Sequence, residues 1–167
     1  MKNADLLLMY QARIRVAVQM HSIRGYEEGC DMTKRILLAS ILILVVWIVA
    51  DLFLHNLLLA PLYQLDTKLW RPLNQMNVAL IFVVRLALLG TFVATYVWLV
   101  RPRTLGSGIA FGALTGLALG IAIGPGTYIH SPISPTLAWA WFFAAIAKTM
   151  AAGVIVGLVI GEKPRNV

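Results

Sequence analysis

Three ionisable residues sit inside long apolar runs of this chain, where a charge costs most: Asp51, Arg85 and Lys148. In hydrocarbon such groups face a bundle interior or a water-filled cavity, and they mark ion or solute pathways. Asp51 and Arg85 each lie about 12 Å from one end of their own run, at about 1.5 Å per helical residue. Antiparallel neighbours would put them at one depth and make them an ion pair. Lys148 falls about one turn deeper, on a stem long enough to carry its ammonium toward that pair or into a cavity. One acid for two bases leaves a positive charge uncompensated. Lys148 is therefore expected to be neutral, hydrated, or paired with something outside the chain such as a bound anion, a lipid headgroup or a substrate carboxylate. The structural alternative is that Asp51 and Arg85 only pin two helices in register while Lys148 snorkels or binds carbonyls.

A second polar set surrounds the same depth and the loop beyond it: His55, Tyr63, Arg71, Tyr128 and His130. His55 follows Asp51 by four residues, a spacing at which a carboxylate can orient an imidazole. Two histidines with an acid can hold a metal or haem, but lone membrane histidines more often form hydrogen bonds, so no metal and no cofactor is expected. No histidine pair occurs at i, i+4, and no Ser, Cys or Lys nucleophile has a recognisable base beside it, which argues against an enzyme and names no catalytic residue. The single cysteine, Cys30, excludes an intramolecular disulfide.

The elements that must hold these residues follow from composition. With 60% hydrophobic and 13% charged residues over 167 positions, the chain departs from soluble averages of roughly 45–50% and 25%, and from disorder as well. Four apolar runs, residues 36–59, 78–100, 106–125 and 137–160, are each long enough to cross about 30 Å of hydrocarbon. The expected fold is an all-α, polytopic four-transmembrane-helix bundle in which no proline interrupts a span. Lys34, Arg35, Arg101, Arg103, Lys163 and Arg165 flank one side, against Lys68 and Arg71 on the other. That bias predicts both termini in the cytoplasm (N-in/C-in), and it turns the net charge of +7 from a nucleic-acid signal into a topology signal, so no nucleic acid is expected as a partner. Tyr63, Trp70, Trp139 and Trp141 near one face, with Tyr96 and Trp98 near the other, read as interfacial belts. Lys34-Arg35 before an apolar run also has the charge order of a secretory signal, but Ile48 is a poor cleavage-site residue and the run continues to Leu59, so an anchor is expected.

Residues 1–31 are polar, with Arg13 and Arg15 among Ile14, Val16 and Val18. They read either as a cytoplasmic helix on an anionic leaflet or as an extension outside the design of the unit, because Met32-Thr-Lys-Arg has the form of a membrane-protein start. Residues 162–167 read as a cytoplasmic tail.

The third run carries Gly108, Gly112, Gly116, Gly120 and Gly124, and the fourth carries Gly153, Gly157 and Gly161. Small residues four apart permit close helix contact in lipid, here a glycine-zipper pattern, so all eight are expected to pack helices together. The third run is not a phosphate loop, lacking the Gly-Lys-Ser/Thr ending. Each four-residue step turns about 40° past a full turn. A straight neighbour then cannot cover all five glycines, so the ridge is expected to divide between the fourth span and another helix, either the second span or a second copy.

From Met32 onward the chain resembles a set of small uncharacterised bacterial four-helix integral membrane proteins. The resemblance rests on His55 with Leu58-Leu59, Tyr63, Thr67, the Leu69-Trp70-Arg71-Pro72 segment and the glycine-repeat helix. It implies a compact unit in a bacterial cytoplasmic (inner) membrane and supplies no activity. Two functions remain: a structural, interaction or accessory membrane component whose partners are the bilayer, another membrane protein or a homo-oligomer, and a small transporter or channel that uses Asp51, Arg85 and Lys148 for an anionic solute or proton.

Overall fold

The computed structural model describes residues 29–65, 69–71 and 75–162. Two units divide the chain, Met1–Arg35 and Ile36–Val167. The first is described only from Gly29, so the helix expected within residues 1–31 lies almost wholly outside the described residues, as do Thr67, Lys68, Pro72, Lys163 and Arg165. The described residues are all-helical, without a strand. Four stretches are long and apolar enough to cross a membrane: α1 (Gly29–Leu58), α3 (Val78–Leu99), the pair α4 (Leu105–Ile123) with α5 (Pro125–His130), and α6 (Pro135–Val159). A short α2 (Ala60–Leu65) follows α1. Helix α1 runs unbroken through Met32, so the boundary expected there is not a break in secondary structure.

Polar side chains placed just outside the apolar runs set the helix starts. Asn77 accepts from the Leu80 N–H at 3.0 Å, and Ser134 accepts from Leu137 at 3.2 Å ahead of Pro135 in the first turn. Thr104 and Ser107 form a reciprocal capping box at the start of α4. Each satisfies amide donors that a helix cannot satisfy itself, a strict requirement near hydrocarbon. The last turn of α1 widens to a π-turn over Leu54–Leu58, closed by Leu59 N–H to the Leu54 carbonyl at 2.8 Å.

One expectation fails at Pro125. No proline is expected to interrupt a span, yet Pro125 lies inside the third stretch, because Gly124 caps α4 after Ile123 and α5 begins at once with Pro125 in its first turn. A proline at the first helical position removes an N–H that would have had no intrahelical partner, so the apolar stretch continues to His130 with little loss of hydrogen bonding.

The glycine ridge also departs from expectation, since all five glycines of the row face α6, four within α4 and Gly124 as its C-cap. A Cβ on Gly108 would collide with the Gly153 carbonyl, one on Gly112 with the Thr149 carbonyl, and one on Gly116 with the Thr149 hydroxyl. One on Gly120 would lie 2.9 Å from the Phe142 carbonyl, and one on Gly124 would meet the Ala138 carbonyl. The α6 contacts step back by about four residues as the α4 glycines step forward. Both rows therefore slant across their helices in the same sense, and a neighbour that wraps with the slant covers what a straight one could not. No glycine of the row is left over for a second copy of the chain.

The three glycines of the fourth run do not act alike. Gly153 answers the ridge directly, for a Cβ there would collide with the Gly108 carbonyl. Gly157 makes room for the capped start of α4: a Cβ on it would lie 2.9 Å from the Leu105 Cα and 3.0 Å from the Thr104 carbonyl. Gly161 is a correction, because α6 ends at Val159 with Ile160 as its C-cap and Gly161 lies beyond the helix. A Cβ on Gly161 would collide first with the Gly157 carbonyl of the same segment, and the Arg103 carbonyl is 3.5 Å away, an ordinary contact distance. Its place in the four-residue series therefore does not make it part of the α4–α6 contact. After it the backbone is tied to the α3–α4 loop, with Glu162 N–H donating to the Arg103 carbonyl at 2.8 Å.

Helices α1 and α3 meet this slab through side chains rather than backbone. Ala39, Ile43 and Trp47 are the buried positions of α1; Leu89, Phe92, Val93 and Tyr96 are those of α3. Phe92 and Tyr96 lie 4.8 and 5.7 Å from Phe111 of α4, ring centre to ring centre. The opposite faces of both helices, with Leu37, Ile41, Val45, Val83 and Leu86, are apolar and exposed, as lipid-facing surfaces must be. Tyr96, expected in an interfacial belt, is instead fully buried, with its hydroxyl donating to the Thr104 carbonyl at 3.3 Å. Trp98 and Trp139 do lie at the surface.

Gly112→Ala forces backbone against backbone and is expected to cost about 1–3 kcal/mol. Gly90→Ala on α3, where nothing lies within 4 Å of the new methyl, is expected to be neutral or to add up to about 1 kcal/mol. Thermal unfolding of the two purified variants in one detergent checks this; equal midpoints would contradict the ridge contact.

Candidate functional site

The α4–α6 contact fixes the rotation of α6. Ala145, Thr149, Ala152, Gly153 and Val156 are buried on or beside the face toward α4. Lys148, about 100° round the helix from Thr149, is thereby directed away from the ridge and reaches α1. Its ammonium donates to Asp51 Oδ1 at 2.5 Å, while Arg85 Nη2 of α3 donates to Asp51 Oδ2 at 2.5 Å. Both cations thus share one carboxylate, an oxygen each, where the residue count alone suggested that Arg85 would use Asp51 up. One turn before Asp51, Trp47 donates its indole N–H to the Lys148 backbone carbonyl at 3.0 Å. Helix α1 therefore holds Lys148 at two points from residues four apart.

The side chains of Asp51, Arg85 and Lys148 are only 16, 23 and 27% exposed. In that setting each charge loses hydration, and the attraction offsets the loss only because both carboxylate oxygens are used. The cluster still carries one more positive charge than negative. Arg85 has four further N–H donors and Lys148 two, none of which hydrogen-bonds to a described residue.

These donors border a cavity of about 510 Å³. Helix α3 supplies its wall from Asn77 to Leu88, with α4 contributing Leu119 and Ile123, α6 Ala145 and Thr149, and the loop before α3 Arg71 and Met76. Beyond Leu88 the same helix turns to packing, where Leu89, Phe92, Val93 and Tyr96 are buried. The cavity is mostly apolar, with three cations and one carboxylate among the described residues that line it, and its volume falls in the range of about 300–1,000 Å³ common for small-molecule sites.

A smaller cavity of about 260 Å³ lies on the other side of Lys148, lined also by His55, Leu59 and Trp141. His55 does not orient on Asp51; its Nδ1 lies 2.6 Å from the Tyr63 hydroxyl. Trp141 donates its indole N–H to that hydroxyl at 2.9 Å. Because Trp141 only donates, the tyrosine hydrogen is available to His55 Nδ1. Trp70 packs edge-on to Tyr63 and Trp141, with ring centres 5.2 and 5.9 Å away, and its indole N–H is buried with no partner among the described residues. Tyr63, Trp70 and Trp141 thus form an inward cluster with Leu59, Ile133, Leu137 and Ala138, not the lipid-facing belt expected of them.

The remaining candidates disperse. Arg71 lines the larger cavity, whereas Tyr128 and His130 at the end of α5 are exposed and line neither cavity. No group of three His, Cys, Asp or Glu comes together among the described residues. Trp47 and Trp141 are the site residues that sequence reasoning passed over. A signal existed for Trp47, four residues before Asp51 on the same helix face. None existed for Trp141, whose partner Tyr63 lies 78 positions away.

Tyr63 lies beyond the end of α1. Burial raises its pKa above the ordinary 10.0, opposed by the Trp141 hydrogen bond and assisted by the Asp51 charge. The unfolded chain then loses this proton first, so the contribution of Tyr63 is complete below pH 10 and declines as pH rises toward the folded pKa. Alkaline unfolding should show that decline, and Tyr63→Phe should flatten it.

Asp51→Asn leaves two part-buried cations facing each other and is expected to cost about 1–3 kcal/mol. Adding Arg85→Gln should recover part of the loss, with a coupling of about 0.5–3 kcal/mol, and adding Lys148→Met should recover more. Additive losses in thermal unfolding would contradict a shared carboxylate.

Compared with protein-family models, curated proteins and solved structures, the chain matches none.

Proposed function

We propose that this chain is a small multi-pass membrane protein that binds an anionic solute at the Asp51–Arg85–Lys148 cavity and works as a transporter or channel rather than as an enzyme. The observation that carries this reading is the imbalance of the cavity wall, where among the described residues Arg71, Arg85 and Lys148 face one carboxylate and the part-buried Arg85 and Lys148 keep unused donors. An excess of buried positive charge is costly in a closed bundle, and an anion that enters removes the cost. The accessory-component reading takes the glycine ridge and the Asp51–Arg85 pair as what holds a bundle that binds another membrane component, and it gives the cavity no role. The Lys and Arg bias of the loops supports an N-in/C-in orientation. Together with the resemblance carried by His55, Tyr63 and the Leu69-Trp70-Arg71-Pro72 segment, it supports a bacterial inner membrane.

Purified protein in a neutral detergent should gain thermal stability from octanoate or inorganic phosphate, by about 2.7 kcal/mol at one hundred times the dissociation constant. Lys148→Ala should abolish that gain while the helical content is kept. Identical shifts for wild type and Lys148→Ala, or none with either anion, would defeat the reading.

A further inference from the structure

We infer that the larger cavity takes an amphiphile with a phosphate monoester head and a hydrocarbon chain, and that the chain enters sideways from the bilayer. This rests on the anion-binding reading and adds the class of ligand.

The charge argument sets the head. Among the described lining residues, Arg71, Arg85 and Lys148 against Asp51 leave two positive charges in excess. A carboxylate head would cancel one, and a phosphate monoester, carrying nearly two negative charges at neutral pH, cancels both. Its oxygens also provide enough acceptors for the free N–H groups of Arg85 and Lys148, and guanidinium with ammonium is the donor pair best suited to phosphate. Asp51 need not be displaced. It uses one donor of each cation, holding both side chains in place for a second anion on their remaining donors.

The wall argument sets the chain. On α3, Leu80, Ile81 and Val84 line the cavity and are 57, 46 and 58% exposed, so this wall is open to the surroundings of the bundle. On α4, Ile123 does the same, at 45%. A side chain that is both cavity wall and lipid-facing surface marks a side opening, so the cavity is continuous with the hydrocarbon region. From Asn77 to Leu88 the α3 wall is about 16 Å long, and apart from Arg85 its named lining beyond Asn77 is aliphatic. A free inorganic anion would leave that surface unused. A lipid chain leaves its tail among the surrounding lipid while its head reaches the cations. Arg71 and Asn77, at the start of α3 where the helix meets its polar cap, mark the end at which a headgroup enters.

The test uses the full chain in phosphatidylcholine nanodiscs, with Trp70, Trp98, Trp139 and Trp141 replaced by phenylalanine so that Trp47, a cavity residue, is the sole indole. Three probes are titrated against its fluorescence: lysophosphatidate, inorganic phosphate, and lysophosphatidylcholine with the same chain. Native mass spectrometry of the unsubstituted protein with the same probes guards against loss of the Trp141 hydrogen bond. The expected result is that lysophosphatidate binds at least tenfold more tightly than either of the others. Arg71→Gln, at an exposed loop position, should weaken lysophosphatidate severalfold without loss of fold, and Lys148→Arg should retain more binding than Lys148→Met. Inorganic phosphate binding as tightly as lysophosphatidate would overturn the amphiphile while leaving the anion site standing. Equal binding of the two lysolipids would overturn recognition of the head. Binding by none of the three probes would overturn this inference, and it would overturn the anion reading as well if octanoate also fails.

Discussion

Backbone lies against backbone where α4 crosses α6, because five glycines in a four-residue row remove the side chains that would hold the helices apart. In lipid this contact carries unusual weight, since there is little hydrophobic force between helices and association depends on dispersion at short range. The same contact leaves α6 no rotational freedom. With Thr149, Gly153 and Gly157 committed to α4, Lys148 has to emerge on the side where α1 and α3 lie. A spacing pattern with no chemistry of its own thus decides where the only lysine among the described membrane-spanning stretches beyond α1 can act.

The charged cluster then follows as a constraint on the other two helices. Asp51 must reach both Lys148 and Arg85, which places α1 between α6 and α3 at that depth, and Trp47 reinforces the placement through the Lys148 carbonyl. Helix α3 packs by aromatic contact with Phe111 near one end and by an ion pair near the middle. Between these bulky contacts and the dense α4–α6 slab, the remaining surfaces cannot close, and the cavity is the space left. Packing of small residues in one place and large ones in another is therefore what produces a void at the depth of the charges. The His55–Tyr63–Trp141 set closes the neighbouring region with a chain of hydrogen bonds, so the two sides of Lys148 differ: a cationic apolar chamber on one, an aromatic hydrogen-bonded one on the other.

Much of the architecture was legible in local sequence because the bilayer simplifies the rules. Apolar length alone identified four helical stretches, and Asn77, Thr104 and Ser134 mark their starts. The pairing of Asp51 with Arg85 followed from equal depth on adjacent antiparallel helices. The errors had physical causes of their own. Pro125 reads as a break in any window, yet a proline in a helix's first turn costs almost nothing. A straight-neighbour picture of the glycine row fails because two slanted rows can wrap together. Gly161 keeps the spacing of Gly153 and Gly157, but spacing means a shared face only while the helix lasts, and α6 has ended before it. Tyr63, Trp70 and Trp141 have the composition of an interfacial belt, and only their mutual packing turns them inward.

Solvent and local spacing are enough to specify four stretches able to cross a membrane, three charges that cannot be left alone in hydrocarbon, and a helix face built for close contact. Packing in three dimensions is what makes Asp51 serve two cations, turns His55 to Tyr63 and not to Asp51, and brings Arg71 to the cavity while Tyr128 and His130 stay outside. Those outcomes depend on helix rotation and on which side chains from distant segments reach the same point. Periodicity along one helix says which residues share a face, but the identity of the neighbour that face meets is settled by the joint packing of all the helices.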